Sequence, residues 1–452
     1  MAEAKAGSDQ PRGLAPAVVL VGYFLAVLIP LGVAAAYEPR HQLLYREIAA
    51  GLALVGFVML PLQFLLSARF ELIAGRIGID LLMRFHQLMA RTALAFLLLH
   101  AALYLVPLLV AGRGWGRRRV LEASQSAEFY AGVAAIVLLL ALVVLALRRR
   151  RLPIRYEVWR GLHGVLGTAV LVLGAWHAVG LGRYASHDAV RLLLLGFIAI
   201  AVGSLVYVYL IKPLRMLARP WRVVSNQPVG RGLWELAVEP AGPHRLDFAA
   251  GQFAWVNFRR WPLSLLDHPF SIASAPEQGP QVAFVIQEAG DFTRRIGEIE
   301  AGHRVYLDAP HGAFTLAGRD AEGIGLIAGG VGIAPILSLL RHLRAARDPR
   351  PVRLLYGAGG DDRLIAREEI EAMRAELNLE VNIVLAEASP DWAGRSGVLD
   401  ADVVRGWLTM EQPERWLFLM CGPTAMMQAV EAALQQAGVP LSRIIYERFA
   451  FD

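Results

Sequence analysis

Long apolar runs fill the first half of the chain and short alternating ones the second. Six runs are long enough to cross a bilayer: Leu14–Tyr37, Glu47–Leu66, Leu81–Val110, Phe129–Leu147, Val158–Gly180 and Ala189–Ile211. A hydrocarbon core needs about 20 apolar residues per helix, so a six-helix membrane bundle is predicted. The first run is too long for a signal-peptide core and lacks a small-residue cleavage site, so it reads as a retained span. Residues 1–13 ahead of it are polar and expected to be disordered. After Lys212 the pattern turns to alternation broken by Gly and Pro, in Trp221–Ser225, Gly232–Val238, Gln252–Phe258, Phe270–Ala273, Gln281–Gln287 and Val305–Leu307. Six such strands predict an antiparallel β-barrel. From Gly323 onward apolar strands alternate with amphipathic helices, among them Ile333–Ala346, Arg363–Glu376 and Thr424–Ala437. That alternation predicts a parallel α/β sheet of Rossmann-like type. The polar stretch 316–322 reads as a linker, which gives three domains: 14–212, 213–318 and 319–452.

Composition agrees with a lipid bilayer as partner. Of 452 residues 56% are hydrophobic, and the mean hydropathy of +0.45 is too high for an ordinary soluble chain. The net charge of +6 comes almost wholly from arginine, since Lys5 and Lys212 are the only lysines. These arginines lie at helix ends and in loops, where cytoplasmic loops collect positive charge, and no nucleic-acid patch is indicated. Cys421 is the single cysteine, so no intramolecular disulfide forms.

The candidate chemistry of the bundle lies in four histidines. His86 and His100 are 14 residues apart on the third run, and His163 and His177 are 14 apart on the fifth. Fourteen helical steps return a side chain to within ~40° of its starting direction and raise it by ~21 Å. Each helix therefore carries two imidazoles on one face at two depths. Ionisable side chains inside a bilayer are rare, face the bundle interior and mark function. Side by side, the helices would pair His86 with His163 and His100 with His177. Two separated bis-imidazole sites fit two haem b groups in electron transfer; zinc wants its ligands gathered around one ion.

In the barrel, His268-Pro269-Phe270-Ser271 lies at a strand start and Gly290-Asp291-Phe292-Thr293 about twenty residues later. Here the chain resembles the ferredoxin-reductase-type flavoprotein superfamily. The resemblance implies FAD, with Ser271 on the flavin ring, Phe270 packed near it, and Gly290 and Thr293 at the pyrophosphate, where a helix N-terminus favours anions. Members often have Arg ahead of the aromatic-Ser pair, where this chain has His268 and Pro269. In the α/β part, Gly329, Gly330, Gly332 and Pro335 lie in a strand-to-helix turn that lets backbone approach a phosphate. Cys421-Gly422-Pro423 matches the superfamily's second nicotinamide motif, which implies a catalytic position for Cys421. The same resemblance implies that a terminal aromatic, Phe449 rather than Phe451, stacks on the flavin and moves to admit nicotinamide. It also implies NADPH in preference to NADH. Asp361 and Asp362 would repel a 2′-phosphate, while Arg363 and Arg395 are candidates to bind one.

From about Leu14 to its end, the chain resembles the ferric reductase and NADPH oxidase superfamily, particularly its single-chain bacterial oxidases. The resemblance implies electron transfer from cytoplasmic NAD(P)H through FAD and two haems to an acceptor on the opposite face. Oxygen, giving superoxide, is the first reading of that acceptor. A ferric chelate, or a periplasmic protein docked on the basic Arg113–Arg119 loop, are the alternatives. Six spans put both termini on one side, so the expected location is a multi-pass cell (inner) membrane protein with its soluble domains cytoplasmic. Arg46, Tyr104 and Arg183 are candidates for the acceptor end.

Overall fold

The computed structural model of the protein describes residues 13–37, 44–67, 69–110, 124–259, 261–262 and 266–447. The polar N-terminus, the Arg113–Arg119 loop, and Phe449 with Phe451 lie outside the described residues. The chain divides into two compact units, one of Gly13–Lys212 and one that begins at Pro213.

The first unit is helical: α1 (Pro16–Tyr37), α2 (Leu44–Leu65), α3 (Glu71–Ile77), α4 (Ile79–Val110), α5 (Ala127–Leu147), α6 (Tyr156–Gly180) and α7 (Asp188–Val206). A π-helical turn, Tyr207–Ile211, follows α7, and the short helix α8 (Lys212–Leu217) belongs almost wholly to the second unit. Among the described residues six helices are long and apolar enough to cross a membrane, and the short α3 is not one of them. Their outward faces carry Val18, Leu25, Val137, Val172 and Leu192, all exposed. A surface apolar all round is stable only in hydrocarbon. Inward positions hold small residues, with Ala34, Ala49, Ala93 and Ala201 fully buried, which lets backbones approach closely. The closest pairs are α2 on α4 and α5 on α6. Ser126 starts α5 by accepting the Phe129 N–H, an N-cap that satisfies a donor the helix leaves open.

The second unit holds two six-stranded sheets. The first has the order β4-β3-β6-β1-β2-β5 and is antiparallel, built from β1 (Trp221–Gly230), β2 (Leu233–Pro240), β3 (Phe253–Asn257), β4 (Asp267–Ser271), β5 (Val282–Gln287) and β6 (Arg304–His311). A bridge between Ile272 and Phe284 links its two edge strands into a barrel. β4 runs from Asp267 to Ser271 rather than from Phe270 to Ala273 because Asp267, His268 and Pro269 already pair with β3, and past Ser271 the chain turns to β5. Alternate residues such as Val223, Leu236, Val238, Val256 and Ile286 fill the interior.

The second sheet is parallel with order β10-β9-β8-β7-β11-β12, from β7 (Ile324–Gly329), β8 (Val352–Gly360), β9 (Leu379–Glu387), β10 (Arg395–Ser396), β11 (Leu417–Cys421) and β12 (Ile444–Glu447). Around it lie α9 (Ile333–Ala346), α10 (Arg367–Met373), α11 (Ala401–Trp407) and α12 (Thr424–Gln436). The helix expected from Arg363 starts only at Arg367, because a 3₁₀ turn occupies Asp361–Arg363 and Ala366 stands at φ 53°. The stretch 388–415, without a strand or helix in the hydropathy pattern, holds β10 and α11. Asp400 caps α11 by accepting from Asp402 N and Val403 N.

Candidate redox centres

Helices α4 and α6 set the four histidines at two levels. The ring centres of His86 and His163 are 6.3 Å apart, and those of His100 and His177 are 6.4 Å apart. Two imidazoles on opposite sides of one metal ion, with bonds of about 2 Å and about 1.1 Å more from nitrogen to ring centre, have centroids about 6.2 Å apart. Both pairs therefore stand at the separation that one ion between them requires. Among the described residues no three His, Cys, Asp or Glu side chains gather around one point, so the protein offers two ligands per site. A site that completes its coordination with a macrocycle fits that donor set.

The His86–His163 pair lies at the end of the bundle where α7 finishes. A side-chain carbon added at Gly164, next to His163, would stand 3.5 Å from the Tyr209 hydroxyl in the π turn. Trp159 leans on the His163 ring at 5.1 Å and carries the Arg149 guanidinium over its own face at 4.7 Å. At this level several buried polar atoms have no hydrogen-bond partner: Nδ1 of both histidines, both amide atoms of Gln63, and the Tyr23 hydroxyl. Tyr23 packs edge-on against Phe85 at 5.0 Å. Orphaned polar atoms in a hydrocarbon-embedded core are costly, so they point to a polar group that belongs among them.

At the His100–His177 level the polar atoms are satisfied. Nδ1 of His100 lies 2.9 Å from the Ala49 carbonyl, and Nδ1 of His177 lies 2.9 Å from the Glu128 carbonyl. Tyr104 stands edge-on to His100 at 5.2 Å. Nearby, Arg183 Nη1 donates to Glu47 Oε1 at 2.9 Å and the Tyr184 hydroxyl donates to Glu47 Oε2 at 3.0 Å. Arg46, the other basic candidate at this end, donates to the Tyr45 hydroxyl at 3.1 Å.

In the barrel, register brings Ser271 on β4, Phe253 on β3 and His311 on β6 into one row. Ser271 is buried and its Oγ has no hydrogen-bond partner, the condition expected of a hydroxyl that waits for a ligand acceptor or donor. His268 stacks on Phe292 at 4.1 Å with ring planes 8° apart, so the two barrel motifs touch, while Phe270 packs toward Phe258 and Phe284. Thr293 opens a six-residue 3₁₀ helix, Thr293–Glu298. Its Oγ1 accepts from Ala289 N at 3.0 Å and Gly290 N at 2.9 Å, and so shapes the Gly290 turn.

The two glycine motifs of the parallel sheet meet backbone to backbone. A Cβ on Gly332 would lie 2.2 Å from the Cys421 carbonyl oxygen, and one on Gly422 would lie 3.0 Å from Gly329 Cα. Gly330 has φ +54°, the left-handed region that favours glycine. Pro335 is buried in the first turn of α9, and Pro423 precedes α12. The Cys421 side chain is fully buried. Burial, and then the neighbouring Glu447 carboxylate, push its thiol well above the usual range, so it stays protonated and acts as a small neutral wall. Arg363 lies along Gly359. Arg395 extends toward Gly406 on α11. The acidic pair beside Arg363 is occupied: Asp361 accepts from Ser389 N at 3.2 Å, and Asp362 is 3.8 Å from Arg231.

Two groups here escaped the sequence reading. Glu447 is paired with Cys421 through the parallel β11–β12 register, and a Cβ on Gly312 would stand 3.0 Å from its Oε1. His311, 4% exposed, has Nε2 3.2 Å from Asp308 Oδ1. Only the pairing of strands distant in sequence places this acid beside Cys421 and this imidazole in the Ser271 row. The second sheet is also tied to the barrel by α9. Ser338 donates to the Ser274 carbonyl at 2.7 Å, and Arg341 donates to the Ala273 carbonyl at 2.9 Å and to Glu369 at 2.6 Å.

Comparison with known proteins matches each part. The family described as ferric reductase like transmembrane component matches residues 52–174, an FAD-binding domain matches 235–309, and an oxidoreductase NAD-binding domain matches 326–432. The ferredoxin–NADP reductase B of Sorangium cellulosum is 30% identical over 238 residues, which cover 50% of this chain and 96% of that protein. The reductase component of propane 2-monooxygenase from Mycolicibacterium goodii is 30% identical over 236 residues, again 50% of this chain. The match spans 66% of that protein's length. The FAD/NAD-binding domain of a Vibrio cholerae nitric oxide dioxygenase is 23% identical with a TM-score of 0.45, covering 51% of this chain and 98% of that one. Its three matched parts in this order give the chain a ferric reductase and NADPH oxidase-like architecture. It is a multi-pass membrane oxidoreductase with FAD-binding and NAD(P)H-binding domains.

Proposed function

We propose that the bundle, read as domain 14–212, holds two haem b groups, one between His86 and His163 and one between His100 and His177. In this reading the protein carries electrons from cytoplasmic NADPH through FAD to oxygen on the opposite face, giving superoxide. The observation that carries it is the repeated pair of facing imidazoles, 6.3 and 6.4 Å apart at two levels. When bound, FAD would supply the conversion of a hydride pair into single electrons, and haems held by His86, His163, His100 and His177 would supply a path for them across the membrane.

The chain's own residues supply binding and placement. His86, His163, His100 and His177 are the four ligands. In the barrel domain, 213–318, Ser271 offers its unpartnered hydroxyl to the flavin, and Gly290 and Thr293 shape the turn for the pyrophosphate. In the α/β domain, 319–452, Gly329, Gly330 and Gly332 keep the strand-to-helix turn free of side chains for the nucleotide phosphates. Cys421, held as a thiol, and Gly422 and Pro423 border the nicotinamide position, and the flavin-stacking role is assigned to Phe449. Arg363 and Arg395 are assigned to the 2′-phosphate; the engagement of Asp361 and Asp362 with Ser389 and Arg231 lessens their repulsion of it. Basic residues of the loop Arg148–Arg155 and the segment Lys212–Arg222 keep the soluble unit in the cytoplasm. Tyr104, with Arg183 fixed on Glu47, lines the acceptor end.

The test uses purified protein loaded with haem, FAD and NADPH and follows cytochrome c reduction with and without oxygen and superoxide dismutase. A signal lost with dismutase or without oxygen is expected. A signal that persists under both conditions overturns oxygen as acceptor, and ferric chelates then separate a metal reductase from a relay to a periplasmic protein.

A further inference from the structure

The two histidine pairs are held differently, and the difference is built into main chain rather than side chains. In the His100–His177 pair each Nδ1 lies 2.9 Å from a main-chain carbonyl, Ala49 on α2 and Glu128 on α5. A carbonyl accepts only from an N–H, so Nδ1 carries the proton and Nε2 keeps the lone pair. In the His86–His163 pair neither Nδ1 has a partner at full hydrogen-bond geometry; the Gln63 backbone is a hydrogen-bonding neighbour of His86, and His163 has burial alone. Ala49 and Gln63 are themselves 14 residues apart. Antiparallel α2 thus presents a backbone group at each level, at full hydrogen-bond geometry only at Ala49, while on the partner helix α6 only His177, and not His163, is tethered.

On α5 the contact depends on a missing side chain. A Cβ at Gly132 would fall 2.4 Å from His177 Nδ1 and 2.7 Å from its Cγ. The Glu128 carbonyl is the helical acceptor for the Gly132 N–H, four residues on. His177 therefore joins as a second donor at the one rung that lacks a Cβ. Gly180 on α6 makes the reciprocal space, for a Cβ there would meet Glu128 Cγ at 2.6 Å.

We infer that Gly132, with the Glu128 and Ala49 carbonyls, is a positioning device. It fixes the His100–His177 pair as Nε2-directed, more basic ligands and makes theirs the lower-potential of the two sites. The inference rests on the haem reading above. A ring whose far N–H is bonded to an acceptor is a stronger donor to a metal, which favours the oxidised, more positive ion. The pair at the acceptor end is then the stronger reductant, as one-electron reduction of a poor oxidant demands.

The test is Gly132→Ala in the full-length protein, with Gly167→Ala on α6, where an added Cβ meets nothing within 4 Å, as the control. Haem per chain, the two midpoint potentials and the ferric low-spin EPR signals are read together. Gly132→Ala is expected to raise one midpoint and move one EPR signal, and to weaken haem retention at that site roughly 10- to 100-fold. The other midpoint, the FAD content and the Gly167→Ala protein stay as in wild type. Two retained haems with unmoved midpoints and signals overturn the inference alone. A wild-type chain that binds no haem overturns the haem reading, and the inference with it. Should Gly132→Ala not accumulate, His86→Ala and His100→Ala leave one pair each. The haem left in His86→Ala must then have the lower midpoint, and the reverse order overturns the inference.

Discussion

The membrane bundle and the nucleotide-binding unit use opposite parts of the polypeptide. In the bundle the chemistry sits on side chains, four imidazoles at helical spacing, with backbone in a supporting role at Ala49 and Glu128. In the second unit the chemistry sits on backbone, where Gly332 and Gly422 bring two loops closer than any side chain would allow. Under the proposed haem reading, the physical cause lies in the ligands each part is built for. A metal needs lone pairs on fixed side chains, and a nucleotide phosphate needs main-chain N–H groups and room.

Substitutions can break that contrast. The largest effect is expected from His100→Ala: one haem is lost per chain and reduction of the natural acceptor ceases, while NAD(P)H oxidation with an artificial flavin acceptor continues. Retention of two haems, measured by pyridine haemochrome, would sink the ligand assignment. Next comes Gly332→Ala, whose Cβ would press on the Cys421 backbone. A cost of about 1–3 kcal/mol and a raised KM for NADPH are expected, with haem content untouched; denaturant midpoints and steady-state kinetics check both.

Smaller effects sharpen the comparison. The Arg341 hydrogen bonds hold the Glu369 carboxyl below its ordinary value, against the opposing effect of burial. A depressed carboxyl stabilises the fold above its unfolded pKa and loses that contribution as pH falls through the folded value. Glu369→Ala should therefore cost roughly 1–3 kcal/mol at neutral pH and almost nothing once acid has protonated Glu369 in wild type; urea unfolding at two pH values reads it. At the alkaline end, burial pushes Tyr356 up to about 12 from 10.0, so its contribution is whole below pH 10 and fades as pH rises through 12. A Tyr356→Phe chain whose alkaline unfolding curve overlays that of wild type would refute this. The smallest change is Ser271→Ala. FAD affinity is expected to fall about fivefold, the worth of about 1 kcal/mol for one hydrogen bond, with the FAD-free protein no less stable because a buried unpartnered hydroxyl has gone. Flavin fluorescence titration measures the first and thermal unfolding the second.

The sequence by itself determined the six apolar spans, the barrel-then-α/β order and the histidine repeat. Each depends on a local period, 3.6 or 2 residues, that the chain carries whatever it later packs against. Motif positions such as Ser271 and Cys421-Gly422-Pro423 were legible through the flavoprotein resemblance instead, since each is a short run at a strand end. Tertiary structure alone decided what those residues meet. It joined His268 to Phe292 across a loop, set Glu447 beside Cys421 through parallel register, and broke the helix expected at Arg363 with a 3₁₀ turn. It also decided which imidazoles are tethered, because whether a carbonyl on α2 or α5 reaches Nδ1 depends on how closely two helices approach. At Gly132 that approach hangs on one absent Cβ, which periodicity cannot register: the apolar pattern reads glycine and alanine alike, and only packing distinguishes them.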